Sequence, residues 1–231
     1  LKTIVDAVIA ERKADGGASN AKDLLSLMLT GADPATGEKL SDENIRYQII
    51  TFLIAGHETT SGLLSFTLQY LIKHPAVLKR AYAEVDAVFG ADLDSPPTLA
   101  QVGRLPYIRQ VLNEALRLYP TAPAFTVMPL EDTLLAGVYP LKAGQPIMIL
   151  SGGRHRDEKV WGDNPELFDP ERFSPEVAAK RLPNAFKPFG NGQRACIGSQ
   201  FALQESVLAL GMALQRFKFV DHTNYQLAVK E

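Results

Sequence analysis

The sequence predicts a mainly α protein with a small β-sheet region, an α+β class, and three observations carry that reading. Apolar residues recur at three- and four-residue spacing through most of the chain. Prolines and glycines fall at the ends of those runs, as at Pro75, Gly90, Pro106 and Pro120, where they start or stop helices. Between 124 and 150 the pattern changes to short β-like runs.

The first helix is expected over 1–12, with Leu1, Ile4, Val5, Val8 and Ile9 at helical spacing, and Asp15, Gly16 and Gly17 break it before a second amphipathic stretch over 21–30. A turn-rich loop, 31–37, leads to Ser41, which can cap a long helix carrying Asp42 and Glu43 in its first turn. That helix is apolar on most faces from Ile45 to about Ile72, which predicts a central, buried element. Pro75 opens the next helix, which repeats Val77, Leu78, Ala81, Val85, Val88 and Phe89 and stops at Gly90. After a loop over 92–97, Pro106 opens a helix through Tyr119 that carries Glu114 and Arg117. Strands are expected over 125–128, 133–135 and 146–150, separated by Gly137 and by a turn at 141–144. The segment 152–194 is too long for an ordinary connection, and its aromatics Trp161, Phe168, Phe173, Phe186 and Phe189 predict an ordered meander. A final helix over 199–216 turns Phe201, Leu203, Val207, Leu208, Leu210 and Leu214 inward, ahead of a short β-like tail.

With 46% hydrophobic and 22% charged residues, the 231-residue chain has the composition of a globular protein of one large or two small domains. A net charge of −2 gives no broad electrostatic case for a nucleic-acid partner, and no apolar run reaches the ~20 residues that span a bilayer. One cysteine cannot form an internal disulfide and no secretory signal pattern is present, so the segment is expected to be soluble and cytoplasmic. Because it opens on Leu1 in mid-helix pattern, it reads as part of something longer.

The chemistry concentrates in 186–199, around that single cysteine, Cys196. Gly190, Gly192 and Gly198 remove side chains there and let the backbone approach a ligand closely. Free backbone N–H groups and the N-terminus of the 199–216 helix would both favour a thiolate. With Arg194 two residues away to pair with a carboxylate, the set suits a metal cofactor that carries acidic groups, such as a haem with its propionates. The run from Gly190 through Ala195 also matches the dinucleotide fingerprint formally, but no buried strand or βαβ pattern precedes it.

Written as Phe189-x-x-Gly192-x-Arg194-x-Cys196-x-Gly198, this stretch resembles the haem-binding signature of the cytochrome P450 monooxygenases. The resemblance implies the C-terminal half of that fold, with a long central helix, the haem-binding loop and the final helix. It implies haem b with Cys196 as the iron's thiolate ligand, Phe189 packed beside the sulfur and Arg194 on a propionate, with Gly190 and Gly198 in the cradle.

A second stretch, Ala55-Gly56-His57-Glu58-Thr59-Thr60, lies mid-helix, where Gly56, Thr59, Thr60 and Gly62 are poor helix interior residues and should weaken the backbone. His57 and Glu58 open like a zinc-protease helix, but the second histidine is replaced by Ser61. By resemblance this is the oxygen-activation segment: Thr59 hydrogen-bonds dioxygen, Glu58 helps to relay protons, and Ala55 faces haem and substrate. Glu114 and Arg117 form a one-turn pair that Arg172, in Pro170-Glu171-Arg172-Phe173, could join to pin the meander. The family has the same structural triad. Finally, the apolar linker 121–125 reads most simply as a loop packed in the core; by resemblance it runs along the edge of the haem pocket, with Ala122, Ala124 and Phe125 facing an apolar substrate.

The strings at 44–62, 113–118 and 185–198 look like those of the self-sufficient fatty-acid hydroxylases, in which the haem domain is fused to a diflavin reductase carrying FAD and FMN and fed by NADPH. That resemblance implies subterminal hydroxylation of long-chain fatty acids. It also implies that 1–231 is a partial haem domain lacking its N-terminal half and the reductase. Segments 127–130 and 151–153 depart from the expected strings. A haem-thiolate peroxygenase or isomerase, or a non-catalytic truncated fragment, is the alternative.

Overall fold

A computed structural model describes residues 1–14, 23–222 and 224–225. The expected break at Asp15, Gly16 and Gly17, the start of the second helix at Ala21, and most of the β-like tail lie outside the described residues; 217–221 carries no strand. Two compact units divide the chain, 1–58 and 59–231.

The first unit contains α1 (Lys2–Ala14), α2 (Leu24–Thr30) and the beginning of α3 (Asp42–Lys73). Asp23 caps α2 by accepting the Ser26 N–H at 2.9 Å and also receives Arg12 Nη1 at 2.7 Å. Those contacts hold its carboxyl below the ordinary range, the Ser26 N–H contributing most. Ser41 caps α3 as its sequence predicts, accepting Asn44 N–H at 3.2 Å. Val5, Ile9 and Ile45 form a small core with Leu25, Met28, Leu29, Ile49 and Ile50 against it.

The second unit is built on α6 (Pro106–Leu118), packed by α4 (Pro75–Phe89) and α10 (Ser199–Arg216), with the short α5 (Leu99–Val102) between α4 and α6 in sequence. α6 is the central helix. Ile108, Val111, Leu112 and Ala115 are fully buried, and α4 supplies Leu78, Ala81, Val85 and Phe89 to the same core. Its N-terminus lacks a capping side chain of its own, and Glu84 of α4 serves instead, accepting the N–H groups of Tyr107 and Ile108, each at 2.9 Å. α10 approaches α4 closely because residue 211 is glycine: a Cβ there would lie 2.9 Å from Phe89 Cε2.

Two expectations are corrected. α3 is not buried on most faces, because none of residues 51–59 is buried; Leu53 and Ile54, 53% and 57% exposed, belong to neither core. Phe201 is 72% exposed. Leu203, Val207, Leu210 and Leu214 share one stripe of α10 at three- and four-residue spacing, and a residue two positions before Leu203 falls on the opposite side.

The small sheet is two antiparallel pairs: β1 (Ala124–Val127) with β4 (Ile147–Leu150), and β2 (Thr133–Leu135) with β3 (Tyr139–Leu141). β3 was absent from the expected strands. Ala136 and Gly137 both have positive φ, 53° and 73°, and Val138 N–H closes onto Leu135 O at 3.1 Å, a turn whose twist suits a tight hairpin. The meander is ordered by α7 (Ser151–Arg154), α8 (Glu158–Trp161), a 3-10 turn (Pro170–Phe173) and α9 (Pro175–Ala178). The meander is ordered as expected, and three of its aromatics, Trp161, Phe173 and Phe186, contact one another, Phe173 and Phe186 at 4.7 Å and edge-on.

Candidate functional site

The cysteine loop is shaped by its glycines and pinned at its base. Gly190 and Gly192 have φ of 74° and 68°, a left-handed backbone that glycine adopts without strain. Ala195 N–H bonds Gly192 O at 3.1 Å, closing a 3-10 turn over Gly192–Arg194, and Cys196 N–H bonds Phe189 O at 2.9 Å. The cysteine is thereby fixed beside Phe189, which is half-buried against the main core. α10 starts at Ser199 with Gly198 as its N-cap, and a Cβ at Gly198 would sit 4.0 Å from Cys196 Sγ, an ordinary contact. Cys196, Ile197 and Arg194 are exposed.

This donor set fits a haem. Among the described residues no group of three His, Cys, Asp or Glu side chains could hold a metal ion. A metal taken by Cys196 would have a single protein ligand and must bring the rest of its coordination sphere, as a macrocycle does. The exposed thiol, the bare glycine backbone beside it and the cationic Arg194 give such a macrocycle a ligand, a flat approach and a partner for acidic substituents.

α3 runs without interruption through Gly56, Thr59, Thr60 and Gly62, so the weakening expected there does not break it. Ala55 and Glu58 are exposed in the first unit, and Thr59 is exposed at the start of the second. Thr60 is buried and its Oγ1 has no hydrogen-bond partner. A Cβ at Gly62 would meet Thr121 Cγ2 at 3.1 Å, so this glycine lets α3 come close to the apolar linker. In that linker Ala122 is exposed, while Ala124 and Phe125 are half-buried at the start of β1.

The triad assembles from two distant segments. Arg117 and Glu114 are both fully buried and pair in a fork, Nε to Oε2 at 2.7 Å and Nη2 to Oε1 at 2.8 Å. Arg117 also donates to the carbonyls of His155 (2.8 Å), Pro165 (2.6 Å) and Leu167 (3.1 Å), and Glu114 accepts Asp169 N–H at 2.9 Å. Arg172 is the looser member, with Nε 3.7 Å from Glu114 and unbonded, while its other nitrogens hold the carbonyls of Trp161 and Asn164. Burial raises the Glu114 pKa, with Arg117 and the Asp169 N–H pulling it back. The pair therefore acts mainly as a clamp on main-chain carbonyls of the meander.

His155 is the site residue that sequence reasoning missed. It lies in the meander with no periodic pattern around it, and the flanking Arg154 and Arg156 are its one unusual sequence signal. Its ring is fully buried between Arg117 O, 3.2 Å from Nδ1, and the N–H of Lys187, 3.1 Å from Nε2.

Residues 1–228 match the family model described as Cytochrome P450. A bifunctional cytochrome P450/NADPH–P450 reductase of Bacillus subtilis is 56% identical over all of this chain, and one of Bacillus cereus is 57% identical over 99% of it. A self-sufficient cytochrome P450 monooxygenase of Aspergillus niger is 48% identical over the whole chain. The chain spans about one fifth of the length of these relatives, 21% in each case. With the family model covering nearly all of its 231 residues, this chain belongs to the cytochrome P450 family.

Proposed function

We propose that this chain is part of a haem-thiolate monooxygenase, and that residues 1–231 lie within a haem domain served by a diflavin reductase fused in the parent protein. The observation that carries this reading is the lone exposed Cys196 on a glycine-opened loop at the start of the 18-residue α10, tied to Phe189 through a backbone hydrogen bond. The reductase is supported by relatives whose names join a cytochrome P450 to an NADPH–P450 reductase.

Cys196 would bind the iron as thiolate, with Phe189 packed beside the sulfur. Arg194 would pair with a propionate, and Gly190 and Gly198 would leave room for the ring edge. When bound, the haem supplies an iron centre for reducing dioxygen and inserting one oxygen atom into a C–H bond, with electrons from NADPH through FAD and FMN. As its ligand, the Cys196 thiolate would supply the electron density that favours O–O cleavage in haem-thiolate chemistry. Thr59 would hold a proton at its hydroxyl, and the exposed Glu58 beside it would replenish that proton from solvent. Ala122, Ala124 and Phe125 of the second unit are small or apolar, as is Ala55 on α3 in the first, and apolar substrate-facing residues of this kind would suit a long-chain fatty acid hydroxylated near, but not at, its terminal carbon. Glu114, Arg117 and Arg172 hold the meander and through it the loop, without touching the reacting atoms.

The test uses the full-length parent protein reduced under carbon monoxide. The red-shifted Soret band of a thiolate-ligated haem is expected in wild type and is expected to vanish in Cys196→Ala. Its absence from wild type, or its survival in the variant, would sink the assignment. For the proton role, Thr59→Ala is expected to oxidise NADPH with little hydroxylated fatty acid formed; undiminished coupling would remove Thr59 from it.

A further inference from the structure

The imidazole of His155 joins three segments at one point. Its Nε2 accepts the main-chain N–H of Lys187 at 3.1 Å. A main-chain N–H can only donate, so Nε2 carries a lone pair and the ring proton sits on Nδ1, which donates to the Arg117 carbonyl at 3.2 Å. The carbonyl of His155 itself accepts from Arg117 Nη1 at 2.8 Å, which makes the link between this residue and the last turn of α6 reciprocal.

Lys187 is the root of the cysteine loop. Its carbonyl accepts Gly190 N–H at 3.3 Å, and two residues on, Phe189 O receives Cys196 N–H at 2.9 Å. From α6 to the sulfur there is thus a short path: Arg117 O, the His155 ring, Lys187 N–H, the Phe189 carbonyl, Cys196 N–H. The Phe186 ring also lies against the imidazole, 5.3 Å between centroids.

We infer that His155 is a positioning residue for Cys196, clamping the main chain where the cysteine loop begins to the C-terminal turn of α6. Burial among the guanidinium groups of Arg117, Arg154 and Arg156 keeps the ring neutral, its pKa pushed down to about 4 chiefly by desolvation. Neutrality is what the clamp requires, since a protonated ring would have no lone pair for Lys187. The main function of the ring is therefore a hydrogen bond to the loop, with aromatic packing on Phe186 secondary.

The inference rests on the haem-thiolate reading only for its spectral arm. In the full-length holoprotein, His155→Phe keeps an aromatic ring against Phe186 and removes both hydrogen bonds, and His155→Leu removes the same two bonds with less volume, and without the ring, should phenylalanine overpack. His155→Gln keeps an amide oxygen to accept from Lys187 and an NH2 to donate to Arg117 O. Amide hydrogen exchange is followed in peptides covering 186–196 and 106–118. Phe or Leu is expected to speed exchange in 186–196 by about tenfold, the effect of losing one buried hydrogen bond, with 106–118 unchanged. The same variants are expected to lose part of the thiolate-type carbon monoxide band to a shorter-wavelength form, and Gln is expected to keep both readouts near wild type. Unchanged exchange in 186–196, equal acceleration in 106–118, or a Gln variant as impaired as Phe and Leu would overturn the role. A wild type without the thiolate band would instead refute the haem reading and leave the exchange arm to decide the clamp.

Discussion

Removing the Arg117 guanidinium should be the most destabilising single change in the triad. The side chain is fully buried and makes five hydrogen bonds of 2.6–3.1 Å, two to Glu114 and three to carbonyls of the meander. In Arg117→Met the Glu114 carboxylate stays buried with only Asp169 N–H at 2.9 Å and Arg172 at 3.7 Å, and three carbonyls lose a charged donor. Stranding one partner of a buried pair costs about 3–5 kcal/mol, and the carbonyls place Arg117→Met at the upper end of that range. Arg172→Met removes a half-buried group that makes no hydrogen bond to Glu114 and holds two carbonyls, so about 1–2 kcal/mol is expected. Adding Glu114→Gln to Arg117→Met neutralises the stranded charge and should recover about 1–2 kcal/mol. Urea unfolding of the protein, followed by circular dichroism, measures all three. An Arg172→Met loss equal to or larger than that of Arg117→Met, or no recovery in the double variant, would refute the reasoning.

Acid should weaken the fold partly through His155. Its folded pKa of about 4 lies below its ordinary value of 6.5, so between those values the unfolded chain takes up a proton that the folded chain refuses. Stability is then lost as pH falls from 7 toward 4, by up to about 3 kcal/mol from this group, and no further loss from it follows below that. His155→Gln should flatten that part of the urea-midpoint profile, and an unaltered slope would show that other groups carry it. At α10, Gly211→Ala would bring a Cβ to 2.9 Å from Phe89 Cε2 and 3.2 Å from Leu105 Cδ1, both in the core. Overpacking should outweigh the gain in helix propensity and lower stability by about 1–2 kcal/mol, read as a lower Tm; a higher Tm would show that the Phe89 ring yields freely.

Much of the site was legible because its signals are local. Gly190, Gly192 and Gly198 around one cysteine imply an open loop whatever surrounds them, and Pro75, Gly90 and Pro106 bound helices through their own backbone geometry. The triad was half legible: the Glu114 and Arg117 pair follows from helical spacing, and Arg172 was placed beside it by resemblance. That Arg117 would spend most of its donors on carbonyls of His155, Pro165 and Leu167 was not visible, since backbone acceptors leave no mark in the residue types. The exposure of 53–59 was misjudged for a related reason. Apolar composition says what a helix can bury, and packing neighbours decide what it does bury, as α6 and not α3 shows.

By itself the sequence determined the longer helices α1, α3, α4, α6 and α10, the lone thiol loop and the family, because each rests on residues adjacent in the chain or on a motif read along it. Only the tertiary structure decided which strands pair, that Glu84 caps α6 from another helix, that α6 is the buried centre, and that His155 grips the root of the Cys196 loop. Those outcomes depend on hydrogen-bond directions and burial between separate segments of the chain, which residue identities do not encode.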